Sequence, residues 1–160
     1  ELSKVSKSSY FSFTIVRNPL FRLLSCYIQK TIIKDPFLNF WKYGNLIFQN
    51  MSFEEFVDFV VNTPDYLADR HFKSQHTFLY LNNKVIVDYV GKIETLQLDW
   101  EYLSKKLDFP PIQHLNKSNE VKFLNLYNKE IANKVKQRYS KDIELFGYEK
   151  EVEDFIQSIS

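Results

Sequence analysis

The stretch from Phe13 to Tyr27, FTIVRNPLFRLLSCY, joins a predicted strand to a predicted helix. Over residues 11–16, aromatic and β-branched residues alternate with small hydroxyl residues, a pattern that favours a short buried strand. Asn18 is a suitable N-cap and Pro19 suits the first helical position, so a helix should begin at once. Arg17 would then stand at the carboxyl end of the strand, beside a helix N-terminus.

The predicted helix, over residues 19–30, has one apolar face. That face consists of residues at helical spacing, namely Leu20, Leu23, Leu24, Tyr27 and Ile28. Arg22, Ser25 and Gln29 lie off this face. Ser25 is therefore not simply a core residue, and its hydroxyl is a candidate for binding.

The remaining pattern alternates helices with strands. We predict a helix from 52 to about 62 behind a Ser52–Glu55 capping box, a hairpin of strands 77–81 and 84–90, and a helix over 94–107. The second hairpin arm is expected to continue into the main sheet, with Gly91 closing it. Further along the chain we predict a loop over 110–119, a helix defined by Tyr127, Ile131, Val135 and Tyr139, and a last short helix. Residues 34–50 show no clean hydrophobic period, so no element is predicted there. This order favours an α/β fold with a partly parallel sheet.

Composition limits the classes of function. The chain has 160 residues with 21 basic and 20 acidic side chains, so it lacks the basic surface of a general nucleic-acid binder. Its single cysteine, Cys26, excludes an internal disulfide and a cysteine-rich metal site, and its apolar context predicts a packing role. No stretch reaches the ~20 apolar residues of a membrane span. The length fits one domain, residues 1–160.

Two segments could bind an anion. Arg17, a planar cation beside the free N–H groups of a helix start, is a candidate phosphate or sulfate ligand. A structural salt bridge or a solvated arginine is the alternative. The loop Asn116-Lys117-Ser118 offers an amide, an ammonium and a hydroxyl, which suit an anion clamp but also an ordinary polar turn.

Residues 13–27 resemble the 3′-phosphate-binding segment of the carbohydrate (Golgi-type, family 2) sulfotransferases, whose pattern is V-R-[DN]-P-x-x-R-L-x-S-x-Y. Four later segments match other stretches of that family in order: DRHFKSQ at 69–75, VDYVGKIETL at 87–96, HLNKS at 114–118 and YSKDIELFGY at 139–148. These matches cover most of residues 11–148. The resemblance therefore extends over nearly the whole chain.

The resemblance implies a P-loop-kinase-like sulfotransferase fold, with a partly parallel sheet flanked by helices. It also implies the donor 3′-phosphoadenosine 5′-phosphosulfate (PAPS), which leaves as 3′-phosphoadenosine 5′-phosphate (PAP), and a carbohydrate hydroxyl as acceptor, with no metal. Arg17 and Ser25 would hold the 3′-phosphate, and Asn116, Lys117 and Ser118 would close over the same nucleotide. Arg17 at the strand end and Ser25 on the side of the helix would then bind the same phosphate.

His71 is a candidate catalytic or acceptor-contacting residue, because sulfuryl transfer needs a base near the acceptor hydroxyl. A structural histidine is the alternative. Phe72 and Ser74 replace the family's usual Trp and Pro in this stretch, which leaves the assignment open. Glu94 is interpreted as a helix-start residue favoured by the helix dipole rather than as a base.

Family members carry an upstream strand and loop that wrap the 5′-phosphosulfate, and residues 1–10 show no such pattern. We therefore expect the N-terminal strand and loop of the fold to be missing, as in the C-terminal portion of a longer enzyme. A natural remnant that keeps the nucleotide contacts but has lost the transfer machinery is the alternative, and on either interpretation this chain alone need not be active. The alternative function is a non-catalytic module that binds the nucleotide or a sulfated glycan. Localisation stays open, since animal members are membrane-anchored Golgi enzymes and a microbial member would be cytoplasmic.

Overall fold

The computed structural model describes residues 10–32, 51–82, 84–112 and 120–159. Within them, the strands are β1 (Phe13–Val16), β2 (Tyr80–Leu81), β3 (Lys84–Val85) and β4 (Tyr89–Lys92). The α-helices are α1 (Pro19–Tyr27), α2 (Phe53–Val61), α3 (His76–Leu79), α4 (Leu96–Leu107), α5 (Lys129–Arg138), α6 (Ser140–Phe146) and α7 (Glu149–Ser158). A π-helical segment, Ile28–Ile32, follows α1, and 3₁₀ helices span Ile93–Thr95 and Glu120–Leu126.

Strands β1 and β4 pair in parallel, with Phe13 opposite Tyr89 and Val16 opposite Lys92. A parallel pair needs a long crossover connection, and here 72 residues (17–88) lie between the two strands. The predicted α/β class with a partly parallel sheet is confirmed. The expectation that the second hairpin arm enters the main sheet also holds, because β4 is that arm's continuation.

The chain divides into two compact units, each made of two separate segments. The first unit comprises Glu1–Arg17 and Phe78–Gln113, and the second comprises Asn18–Thr77 and His114–Ser160. The prediction of one domain over residues 1–160 stays a prediction.

The first unit is built on β1, β4 and α4. Ser12 fixes the start of the pairing, because its backbone N–H and its hydroxyl both donate to the Asp88 carboxylate, at 2.9 and 2.8 Å. Asp88 in turn donates its backbone N–H to the Ser12 carbonyl at 2.8 Å. Gly91 lies inside β4 opposite Ile15, so the expectation that it closes the strand is wrong.

The second unit has an aromatic core. Tyr27 meets the Phe53 ring edge to face at a centroid distance of 5.1 Å, and Phe53 meets Tyr127 at 4.8 Å. Phe72 joins this core through Phe56, at 6.4 Å. Such edge-to-face pairs add to the large apolar area that aromatic side chains bury.

The predicted helix after Arg17 is α1, followed by the π-helical segment. Leu20, Leu23 and Leu24 are buried, whereas Arg22 and Ser25 are partly exposed and Gln29 is exposed, as the apolar spacing predicts. Cys26 is buried too, and burial raises the pKa of its thiol to about 12. This agrees with a packing role, because the thiol stays protonated near neutral pH.

The predicted strand over 77–81 is wrong for most of its length, since residues 76–79 form the short helix α3. The Ser74 carbonyl accepts both the backbone N–H and the hydroxyl of Thr77, at 3.2 and 2.6 Å. These bonds favour a helical turn over the β-propensity of the run TFLYL. Only β2 remains extended, and it pairs antiparallel with β3.

Other boundaries follow the sequence closely. The Ser52–Glu55 capping box is present at the start of α2. The hairpin turn begins at Asn82, whose φ of 52° is the left-handed conformation expected of asparagine.

The C-terminal segment differs from the prediction. Two helices, α6 and α7, form where one short helix was predicted, and Gly147 separates them with a φ of 63°. Residues 34–50 and 113–119 lie outside the described residues.

Candidate functional site

In the first unit, Arg17 follows β1 directly and so stands at the carboxyl edge of the parallel pair. Its side chain is partly buried. Ligand sites of α/β folds lie at this edge of the sheet, so the position fits the predicted anion ligand. The anion contact itself stays a prediction.

The same edge of β4 is organised by Asp99 of α4. The Asp99 carboxylate accepts the Lys92 backbone N–H at 2.8 Å and the Tyr89 hydroxyl at 2.5 Å. Burial raises the pKa of Asp99, but hydrogen bonds from Tyr89, Lys92 and Thr95 lower it by more than burial raises it. The pKa of Asp99 is therefore below its ordinary value. The bond to Asp99 also raises the pKa of Tyr89 to about 12. Asp99 therefore has a structural role, because it bonds to both the first and the last residue of β4.

In the second unit, the start of α1 offers fewer backbone donors than expected. Asn18 accepts the Leu20 N–H through its side chain at 3.0 Å, and Pro19 has no N–H. Ser25 lies farther along α1 on the partly exposed side. Because Arg17 and Ser25 belong to different units, their shared grip on one phosphate stays a prediction.

The best-defined candidate site in the second unit is the segment of residues 69–76, here called the histidine loop. It carries His71, and its backbone is held from several sides. Arg22 of α1 donates from one guanidinium nitrogen to the Lys73 carbonyl and from the other to the Arg70 carbonyl, both at 2.8 Å. Because one rigid guanidinium bonds two carbonyls of the loop, it restricts the loop strongly.

Helices α5 and α6 and the residue between them hold the other side of the loop. The Tyr139 hydroxyl donates to the Phe72 carbonyl at 2.5 Å. The Asp142 carboxylate is fully buried and accepts the backbone N–H groups of Gln75 and His76, at 2.7 and 2.9 Å. Two sequence segments that resemble family motifs, 69–75 and 139–148, are thus joined directly.

Arg138 adds a further anchor through an ion-pair network. Its guanidinium donates to the Ser74 hydroxyl at 2.9 Å and to the Asp65 carboxylate at 2.7 Å. Asp65 also accepts the Ser74 backbone N–H at 2.9 Å. Ser74 replaces the proline of the family pattern, and here it supplies the hydroxyl and the N–H that proline lacks.

His71 itself is partly exposed, with 27% of its side-chain surface accessible. Its Nδ1 lies 2.5 Å from Oδ1 of Asp69. Burial lowers the pKa of His71, and the charges of Lys30 and Arg70 lower it further. The bond to Asp69 raises the pKa in part, and the resulting pKa lies below its ordinary value of 6.5. The ring is therefore neutral at pH 7 and can accept a proton.

His76 has a similar partner but a more enclosed position. Its Nδ1 lies 2.6 Å from Oδ1 of Asp142, and 16% of its side-chain surface is exposed. Since Asp142 also holds two backbone N–H groups of the loop, we interpret His76 as structural. Glu94 is exposed in the first turn of a 3₁₀ helix, in keeping with the helix-start interpretation.

The predicted clamp of Asn116, Lys117 and Ser118 lies outside the described residues. Within the part of the chain that is described, no group of three or more His, Cys, Asp or Glu side chains could hold a metal ion. No helix among the described residues is long and apolar enough to cross a membrane.

Residues 1–149 match the family model described as "Sulfotransferase family". The chain belongs to the sulfotransferase family. This confirms the family resemblance of the sequence motifs. The sulfotransferase chain is also 25% identical, over 170 aligned positions, to Carbohydrate sulfotransferase 10 of Xenopus laevis. That alignment covers 88% of this chain and 48% of the relative, so the chain spans about half the relative's length. No solved structure gives a significant match.

Sequence reasoning did not assign roles to Asp69, Arg22 and Asp142. For Asp69 a signal was present, because an aspartate side chain in a loop often accepts the backbone N–H two residues on, as in an Asx-turn. Arg22 and Asp142 stood inside the quoted motifs, but their partners lie 48 to 67 residues away along the chain. Only the tertiary structure reveals such pairs.

Proposed function

We propose that this chain carries a sulfotransferase activity that moves a sulfuryl group from PAPS to a hydroxyl of a carbohydrate acceptor. The match of residues 1–149 to the sulfotransferase family model supports the reaction class. Similarity to a protein named Carbohydrate sulfotransferase 10 supports the acceptor class. The family match carries this proposal, and it favours an enzyme over a non-catalytic binding module.

The residues present fit the 3′-phosphate of the donor by their chemistry. Arg17 offers a planar cation at the carboxyl end of β1, and Ser25 offers a hydroxyl on the partly exposed side of α1. Asn116, Lys117 and Ser118 would add donors from the predicted clamp. Guanidinium, ammonium and hydroxyl groups are the usual protein ligands of phosphate.

His71 is proposed as the base that takes the proton of the acceptor hydroxyl. PAPS supplies a sulfuryl group activated by its phosphosulfate anhydride. As the acceptor oxygen bonds to sulfur and the bond to the phosphate oxygen breaks, the hydroxyl proton passes to the neutral ring of His71. The anchored histidine loop keeps that ring in place, which is the positioning on which group transfer depends.

The first test is nucleotide binding. Arg17→Ala should weaken the binding of PAP by about tenfold or more, because a lost charge-assisted hydrogen bond costs about 1.5–3 kcal/mol. Calorimetric titration measures this affinity directly. Lys105→Ala is the matched control, since it removes an exposed cation of the same unit whose partner is Glu101.

Lys105→Ala should bind PAP as the unaltered chain does. Equal affinity for the Arg17→Ala and unaltered chains would reject the assigned phosphate contact. Transfer of labelled sulfate from PAPS to carbohydrate acceptors then tests the reaction itself. PAP binding without transfer, in this chain and in any longer form of it, would favour a binding module.

A further inference from the structure

Asp69 contacts His71 in two ways at once. Its Oδ1 accepts the backbone N–H of His71 at 3.0 Å and lies 2.5 Å from the ring Nδ1. The Asp69 carbonyl also accepts the N–H groups of Phe72 and Lys73, at 3.1 and 2.8 Å. Backbone and side chain of Asp69 thus cap the turn that carries the histidine.

This geometry determines which ring nitrogen carries the proton. A carboxylate without a proton has only acceptor oxygens, and Oδ1 of Asp69 already accepts the backbone N–H of His71. The ring nitrogen facing that oxygen must then be the protonated one. A neutral imidazole with a proton on Nδ1 has its basic lone pair on Nε2.

The turn is also prevented from relaxing. The backbone carbonyls on both sides of His71, at Arg70 and Phe72, accept hydrogen bonds from Arg22 and Tyr139. Phe72 is fully buried in the aromatic core. Rotation of the turn would break these bonds, so the fold holds the backbone from which the His71 ring extends, and the contact with Asp69 orients the ring itself.

We propose that Asp69 is a positioning residue that holds His71 in the Nδ1–H tautomer and thereby presents Nε2 as the base for the acceptor hydroxyl. This inference rests on the proposed function and deepens it. Asp69 acts through His71 and not on the substrate. Its role corresponds to that of the carboxylate that orients a catalytic histidine in hydrolases.

The first experiment reads the tautomer directly. Long-range ¹H–¹⁵N spectra of the full chain at neutral pH should show His71 protonated on Nδ1. Asp69→Ala should shift His71 toward the Nε2–H form. Asp69→Asn should keep the Nδ1–H form, because an amide oxygen can still accept both N–H groups.

His76 is an internal control in the same spectra. Its Nδ1 is held by Asp142, not by Asp69, so its signals should stay unchanged in both variants. A variant that failed to fold would lose them. Asp69→Asn keeps the side-chain shape and so tests the proposal even if Asp69→Ala is destabilised.

The second experiment uses the pH dependence of transfer. Among the described residues, the charged groups that shift the pKa of His71 include Asp69 and Arg70 from the loop and Lys30 from the π-helical segment. Asp69 raises the pKa of His71, so its removal should move the acidic limb of the kcat/KM profile to lower pH. We expect kcat to fall about 10²-fold in Asp69→Ala, the lower end of the range for loss of a general base, and by less, about tenfold, in Asp69→Asn.

A double variant distinguishes positioning from an independent role. If Asp69 acts only through His71, then adding Asp69→Ala to His71→Ala should lower kcat no further. A further loss, or an unshifted acidic limb in Asp69→Asn, would overturn the proposal. So would an Nε2–H tautomer in the unaltered chain.

These outcomes are separable from failure of the proposed function. The spectra need no substrate, so they test the tautomer whether or not transfer occurs. The Nδ1–H tautomer without sulfuryl transfer to any hydroxyl acceptor, in this chain and in any longer form of it, would reject the proposed function. The base role of Nε2 would then fall with it, while the tautomer assignment would stand.

Discussion

Gly91 and Asp99 decide how closely α4 approaches β4. A Cβ atom at Gly91 would lie 2.7 Å from Cδ1 of Ile15 and 3.1 Å from both Cβ and Cγ of Asp99. Asp99 has little room to move, because its carboxylate is bonded to Tyr89, Lys92 and Thr95. Glycine is therefore required here for lack of space and not for an unusual backbone conformation.

Gly91→Ala should lower the free energy of unfolding by about 1–3 kcal/mol, the usual cost of overpacking a filled site. Chemical denaturation followed by circular dichroism measures this loss. Ile15→Val in the same chain removes the closest atom, Cδ1, and should restore part of the stability. Full stability of Gly91→Ala alone would contradict so close an approach of α4 to β4.

At the scale of elements, helix α6 and the histidine loop are joined by one buried carboxylate. Asp142 accepts two backbone N–H groups, its Oδ1 lies 2.6 Å from Nδ1 of His76, and none of its surface is exposed. The loop has few apolar side chains of its own. Its order therefore depends on contacts with distant residues, among them Asp142 of α6, which lies more than 60 residues away in the sequence.

Asp142→Ala should destabilise the chain by about 2–5 kcal/mol, because it leaves the buried N–H of Gln75 and the partly buried N–H of His76 without this acceptor. Asp142→Asn keeps one acceptor oxygen and should cost less. Thermal unfolding compares the two variants, and hydrogen exchange at Gln75 and His76 should rise first in Asp142→Ala. Exchange rates at both amides equal to those of the unaltered chain would contradict the assigned contacts.

At the scale of the whole molecule, neither compact unit is a continuous stretch of chain. Contacts between distant segments must therefore form before either unit is complete, and ion pairs contribute some of them. Asp65 and Arg138, 73 residues apart, are the clearest case. Burial raises the pKa of Asp65, but hydrogen bonds from Arg138 and Ser74 and the charge of Arg138 lower it below the ordinary value of 3.8.

A lowered folded-state pKa makes stability depend on acid in a definite direction. The contribution of Asp65 is fully present well above pH 4 and is lost as the pH falls through the folded pKa. Asp65→Asn should therefore be less stable than the unaltered chain at pH 7 and should lose less stability on acidification. Urea denaturation between pH 7 and pH 2 tests this, and the difference between the two stabilities should shrink as the pH falls. Parallel curves over the whole range would refute the linkage.

Local patterns predicted much of the fold correctly. The Ser52–Glu55 capping box and the apolar face of α1 are properties of nearby residues, so they could be recognised without the structure. The strand predicted over 77–81 failed because Ser74 and Asp142 organise that segment through contacts outside it. Propensity is a weak guide where such contacts exist.

In the candidate site, too, some residues could be predicted from local sequence patterns and others could not. Arg17 and Ser25 could be chosen from the sequence because the strand-to-helix joint and the helical phase are local, and the family motifs support them. The histidine loop could not be understood in this way. His71 was visible, but the residues that orient its turn, Arg22 and Tyr139, are distant in sequence.

The sequence by itself determined the family, the α/β class and the position of Arg17 at a strand end, because motifs, hydrophobic periodicity and capping residues act over a few positions. Only the tertiary structure decided the parallel pairing of β1 with β4, the space at Gly91 and the anchoring of the histidine loop. Those features depend on hydrogen bonds and packing between residues far apart in the chain. Arg22 shows the difference, because helical phase alone places it off the apolar face of α1 and gives it no partner. The fold binds it to the backbone on both sides of the turn that carries His71.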